Sequence, residues 1–202
     1  MTGFISNGPP SAPVTLVLAH GAGAPMDSEW MNAIATGVAA DGFRVLRFEF
    51  PYMAERRTSG KRRPPDRQQV LLDAWRSAFA EAGEGPTVVG GKSMGGRMAS
   101  MIADEVSAAG LVCLGYPFHA PGKPEAPRVQ HLEFLRTPAL FVQGTADPFG
   151  TRDDVAGYTL SPAITIEWVE GGNHDLVSKA LGRAASRQHV IASVSSFLAA
   201  RA

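Results

Sequence analysis

The chain has 202 residues, with Lys+Arg and Asp+Glu equal at 19 each, 45% hydrophobic residues and 19% charged ones. That length and composition suit one domain over 1–202 with a sizeable core and exclude a disordered chain. The net charge of zero excludes a global attraction to nucleic acid or to an anionic membrane, so neither is expected as a partner. The single cysteine, Cys113, allows no intrachain disulfide and fits a reducing compartment. The first residues carry no basic leader, and the apolar run Val14–Ala19 is far too short to span a bilayer. A cytoplasmic protein is expected.

In chain order, Val14–Ala19 reads as a strand buried on both faces, followed by a helical pattern over Ser28–Ala40. A strand over Phe43–Phe50 and a helix over Gln68–Ala82 come next, then a strand over Thr87–Gly91 and a helix over Met94–Ala108. A strand over Leu111–Tyr116 precedes a short helical piece near Val129–Leu135. Ala139–Gln143 is a further strand, with a short helix near Arg152–Tyr158, a strand over Ile164–Val169 and a last helix over Ser186–Ala200. Continuous apolar strands alternating with helices predict an α/β fold, a mostly parallel sheet with helices on both faces and right-handed crossovers. Ligands of such sheets bind outside the carboxyl ends of the strands. One segment departs from the pattern. Glu55–Arg67 carries six basic residues and two prolines. It reads as a solvated loop or as a cationic flap over the site that favours anionic substrates.

Gly91-Lys92-Ser93-Met94-Gly95 lies between an apolar strand and a helix. A Gly-x-Ser-x-Gly in that place is the nucleophile elbow of serine hydrolases, because a sharp strained turn lifts the serine above the sheet and only glycines let strand and helix meet so closely. Two other strand ends carry polar, glycine-flanked loops: Gly144-Thr-Ala-Asp147-Pro and Glu170-Gly-Gly-Asn-His174-Asp. The order Ser93, Asp147, His174 matches the Ser…Asp…His order of α/β-hydrolases. A neutral imidazole takes the serine proton during attack, and a fixed carboxylate holds the imidazole and its developing charge. The rivals are weaker. Asp153 and Asp154 open a helix, where acids favour the dipole, and Asp175 adjoins His174. His131 and His189 lie in helical patterns, and His119 precedes Asp147. At the first strand end, His20-Gly21-Ala22-Gly23 can supply an oxyanion-hole amide from Ala22, with Met94 supplying the other at a helix N-terminus.

The segments AHGAGAPMDS, GGKSMGGRMAS, LGYPFHAPGKPE, LFVQGTADPFG and GGNHDL run from Ala19 to Leu176. In them the chain resembles the α/β-hydrolase superfamily, and within it a small, cap-less, dienelactone-hydrolase-like group of bacterial proteins with eukaryotic relatives in chromatin-associated complexes. Dienelactone hydrolases proper carry cysteine at the elbow, where this chain has Ser93. The resemblance implies an α/β-hydrolase fold with no cap domain and acyl transfer to water; from the open site and the residue roles, a small-molecule ester is the expected substrate and no cofactor is expected. The competing class is a hydrolase-fold interaction module with a vestigial site.

Tyr52, Met26, Phe118, His119 and Phe149 are candidate pocket walls, with packing under loops as the alternative. Scattered histidines and the absence of paired cysteines give no support for a metal site. A phosphate-binding loop would need glycine where Pro86 stands, and a dinucleotide fingerprint would need it at Met26. Cys113 reads as a core residue.

Overall fold

The computed structural model describes residues 3–202. Its spine is a seven-stranded sheet in the order β1-β3-β2-β4-β5-β6-β7. The strands are β1 (Ile5–Asn7), β2 (Thr15–Ala19), β3 (Arg44–Phe48), β4 (Thr87–Lys92), β5 (Gly110–Leu114), β6 (Ala139–Gly144) and β7 (Ile164–Val169). Each neighbouring pair is parallel except β1 with β3. The short strand β1 escapes a sequence reading because three residues give no usable alternation; it is held by Arg47, whose guanidinium donates to Asn7 Oδ1 at 2.9 Å.

Every residue of β2, β4, β5 and β6 is buried. The reason is that helices cover both faces of the sheet. One core layer packs Val17, Phe48, Val89 and Phe141 against Trp75, Met98 and Ile102, and the other packs Leu16, Val88 and Val142 against Ile34, Val190 and Val194. The helices are α1 (Glu29–Ala40), α2 (Pro51–Ser59), α3 (Gln68–Glu81), α4 (Met94–Ile102), α5 (Arg152–Ala156) and α6 (Gly182–Ala199), with one 3₁₀ turn at Gln130–Leu132. Ser28 caps α1 by accepting from Met31 N, and Thr151 with Asp154 forms a capping box on α5.

Several helices differ from the sequence reading: α5 ends at Ala156 and α6 begins at Gly182, and two further differences bear on the site. The apolar run through Phe50 ends as a strand at Phe48, and Pro51 occupies the first turn of α2, a place where its missing N–H costs nothing. Part of the basic segment is therefore helical. Helix α4 stops at Ile102 rather than Ala108, and Ser107 adopts a left-handed φ of 53°. Past the helix end, Asp104 turns its carboxylate to accept from the amides of Arg136 and Thr137 just before β6.

From β2 the chain moves outward to β3 and then returns to the other side of β2 for β4. Connections therefore leave β2 and β4 in opposite directions, and a crevice opens at their carboxyl ends. Ser93 follows the last residue of β4. The segment between β5 and the 3₁₀ turn is short irregular chain, so no cap domain covers this crevice.

Candidate active site

The turn at Ser93 is strained. Its φ is 50° and ψ −116°, a conformation that L-residues rarely adopt. Two glycines make it possible by close approach. A β-carbon on Gly95 would lie 2.4 Å from the Ala19 carbonyl oxygen, and one on Gly91 would lie 2.5 Å from the same atom. The Ser93 amide is fixed by donating to Leu114 O at 3.0 Å. Below the turn, Trp75 of α3 is fully buried and donates from Nε1 to Gly95 O at 3.2 Å.

The loops after β6 and β7 converge on Ser93. His174 Nδ1 lies 2.8 Å from Asp147 Oδ2, and Nε2 lies 2.9 Å from Ser93 Oγ. With its proton on Nδ1 and facing the carboxylate, the neutral ring presents Nε2 as the acceptor for the serine hydroxyl. Asp147 is 0% exposed. Besides the imidazole, it accepts from Gln143 Nε2 at 3.0 Å and from the Phe149 amide at 2.9 Å. This donor set suits a carboxylate and fixes its orientation. The loop of His174 is shaped by Asn173, whose Oδ1 accepts from the amides of Asp175 and Val177.

Opposite the imidazole runs the loop after β2. A β-carbon on Gly21 would lie 3.6 Å from Ser93 Cβ, so this loop passes directly beside the serine. His20 holds it. Burial lowers the pKa of His20, Nδ1–H donates to Gly21 O, and Nε2 accepts from Phe50 N at 3.1 Å. Tyr52 holds it as well, donating its hydroxyl proton to Ala22 O at 2.9 Å. Met94 opens α4, so its N–H belongs to the first-turn amides that have no partner within the helix.

A cavity of about 320 Å³ adjoins Ser93 and His174. Ala22, Ala24, Trp30, Met31 and Phe149 form its apolar wall, and Lys92 and Asp175 add charge. Of the five sequence candidates for the pocket wall, Phe149 is in place, with its ring centroid 4.3 Å from that of His174. The other four lie elsewhere. Phe118 is fully buried among Tyr116, Phe141 and Tyr158, because the chain after β5 turns inward under Gly150. His119 is buried beside Asp154. Met26 lines a separate depression with Glu49 and Pro51. Tyr52 is buried behind Ala22 and acts on the loop rather than on the cavity. Trp30 and Met31 are absent from the sequence candidates. Their signal was available: Ser28 caps a helix entered directly from the β2 loop, so the first turn of α1 must face the crevice.

None of the six cations of the basic segment lines this cavity. Arg57 bonds Asp27 and Glu49, and Arg63 pairs with Glu55 and Asp66. Asp66 in turn accepts from the Tyr52 amide at 2.8 Å. The segment thus contains an ion-paired brace outside the crevice. Among the described residues, no group of His, Cys, Asp and Glu could hold a metal ion, and no helix is long and apolar enough to cross a membrane.

Solved structures share this architecture. A dienelactone hydrolase from Anabaena variabilis superposes with a TM-score of 0.76 at 17% identity, covering 96% of this chain and 89% of that one. A lid-less α/β serine hydrolase from Xanthomonas campestris gives 0.70 at 18%, covering 96% and 88%. A monoacylglycerol lipase from Paleococcus ferrophilus gives 0.75 at 15%, covering 100% of each chain. At such identities the likeness is one of fold. A family model described as an alpha/beta hydrolase domain matches residues 12–200, nearly the whole chain, and on that match the protein belongs to the alpha/beta hydrolase family.

Proposed function

We propose that this protein is a serine hydrolase that transfers small acyl groups from carboxylic esters to water. One observation carries the reading. The imidazole of His174 bridges Ser93 Oγ at 2.9 Å and the buried carboxylate of Asp147 at 2.8 Å, on a serine held at a left-handed turn. Structural packing alone gives no reason to maintain that strain.

The steps follow from the geometry. His174 Nε2 takes the proton of Ser93 as Oγ attacks the carbonyl carbon. Asp147 holds the Nδ1 proton and stabilises the imidazolium. The amides of Met94 and Ala22 are the donors proposed for the oxyanion. The imidazolium then protonates the leaving alcohol, and water attacks the acyl-enzyme by the same route. Side chains and backbone amides supply all of this chemistry.

The cavity limits the acyl group. Each methylene buried against Trp30, Met31 and Phe149 adds about 0.8 kcal/mol, and methylenes beyond the wall add nothing. A series of p-nitrophenyl esters tests the reading. kcat/KM should rise over short acyl chains and then level off once the cavity of about 320 Å³ is filled. Hydrolysis that persists unchanged in Ser93→Ala would end the proposal.

A further inference from the structure

Lys92 has no part in the steps above, yet it stands beside Ser93 at the end of β4 and is only 8% exposed. Burial pulls its pKa below the usual lysine value, against the attraction of Asp175 and Asp147. Burying an ammonium is costly, and a methionine of similar length would fill the same space without that penalty. The contacts of Nζ show what the charge adds. It donates to the His174 carbonyl oxygen at 2.7 Å, lies 3.6 Å from Asp175 Oδ1 and sits 5.8 Å from the Trp30 ring centroid. Asp175 is a loose partner, with its side chain 68% exposed. The short bond is the one to the backbone of the residue that carries the imidazole.

The surroundings are shaped to admit this bond. Gly115, at a left-handed φ of 65°, lies where the two groups meet. A β-carbon there would be 2.7 Å from the His174 carbonyl oxygen, 3.3 Å from Lys92 Nζ and 3.6 Å from His174 Nδ1. The loop of His174 also has other supports, but they act elsewhere. Asn173 closes the loop on itself, and Ala146 N donates to Gly172 O on the β6 side. Trp30 Nε1 holds Asp175 O from α1. Lys92 is the side chain that joins the loop's backbone to β4, the strand that presents the nucleophile.

We propose that Lys92 is a positioning residue that sets the distance between His174 Nε2 and Ser93 Oγ by tying the base-bearing loop to the nucleophile strand. The proposal rests on the serine-hydrolase reading and extends it to a residue that touches neither the substrate's reacting atoms nor the imidazole ring. A charge-assisted bond is shorter and stronger than a neutral one, which is what a distance-setting tie requires. Misplacement of a catalytic group by about 1 Å costs on the order of a hundredfold in rate.

Lys92→Met tests this with three readouts. kcat on a short p-nitrophenyl ester should fall about 10- to 100-fold while KM stays within about threefold, because the chemical step and not binding is disturbed. Fluorophosphonate labelling of Ser93 should slow by the same factor. The far-downfield proton resonance of the His174 Nδ1–H···Asp147 bond should shift or broaden, a signature that loss of mere packing would leave in place. Lys92→Arg, which keeps a cationic donor, should recover part of the rate. If Lys92→Met does not fold, Lys92→Gln, with an uncharged donor, is read in the same three ways. Unchanged kcat and resonance in the folded variant would overturn the proposal. Wild-type protein that is not labelled at Ser93 would remove the serine-hydrolase reading and this inference together; normal wild-type labelling with an unaffected Lys92 variant would remove this inference alone.

Discussion

The two sides of the crevice around Ser93 are built by different means. On one side, the turn Gly91–Gly96 is set by backbone packing: a left-handed serine, and glycines whose missing β-carbons let α4 sit against Ala19. On the other side, the loop His20–Asp27 is held largely by side chains from the following strand and helix. Glu49 accepts from Met26 N, Tyr52 donates to Ala22 O, and Arg57 bonds Asp27 and Glu49. The proposed nucleophile therefore depends on backbone sterics against Ala19 of β2, and its proposed oxyanion partner on side-chain contacts. Substitutions on the first side should act on chemistry or folding outright; those on the second should act by degrees.

The largest effect is expected for the groups that meet at the imidazole. Ser93→Ala and His174→Ala should each lower kcat at least about a thousandfold, with the double variant little worse than either, since members of one mechanism are not additive. Additive losses on the same ester would show that the two residues act separately. Next comes the turn itself. Gly95→Ala forces a β-carbon to within 2.4 Å of a backbone oxygen and should cost about 3 kcal/mol or more in denaturant unfolding. A variant of wild-type stability would mean that the close approach is not required.

On the second side, Tyr52→Phe removes one hydrogen bond to Ala22 O and should cost about 1 kcal/mol of stability with a roughly tenfold loss of kcat. An activity loss as large as that of Ser93→Ala would erase the contrast between the two sides. Arg57→Gln should cost less, about 0.5 kcal/mol, since that guanidinium is half exposed and screened by water. It should change KM equally for a carboxylate-bearing ester and its neutral analogue. A selective rise for the anionic ester would restore the cationic-flap reading of Arg56–Arg67.

How much of this was legible in the sequence follows the same division. The sheet could be read because β2, β4, β5 and β6 are buried on both faces and so appear as continuous apolar runs. The elbow could be read because its residue pattern lies within five consecutive residues, although the backbone it packs against, at Ala19, is distant in sequence. The meeting of Ser93, Asp147 and His174 was legible in outline from chain order and strand ends, although only the fold supplies the distances. The pocket wall was not. Phe118 and His119 follow a strand end as a pocket wall should, but a buried aromatic cluster draws them inward. The roles of Tyr52, Glu49 and Arg57 could not be read, because each depends on a partner 8 to 30 residues away. The charges of Glu55–Arg67 suggested a field over the site, whereas pairing directs Arg57 and Arg63 into a brace.

A separate effect belongs to the far side of α4, away from the crevice. Burial, assisted by Arg97, lowers the pKa of His131 to about 4, and its Nε2 lies 2.8 Å from Ser100 Oγ. In the unfolded chain this group titrates near ~6.5. Between those values the unfolded state binds more protons, so stability should fall as pH drops from about 6.5 towards 4. His131→Gln should flatten that part of the curve, measured by denaturant unfolding across this range. An unchanged slope would remove His131 as its source.

The central claim is that Ser93 is the nucleophile of a working acyl-transfer site, and intact-protein mass spectrometry after fluorophosphonate treatment addresses it most directly. The account predicts one adduct per chain, mapped to the peptide containing Ser93, absent from Ser93→Ala and formed much more slowly in His174→Ala. An adduct on another residue, or undiminished labelling of Ser93→Ala, would contradict it.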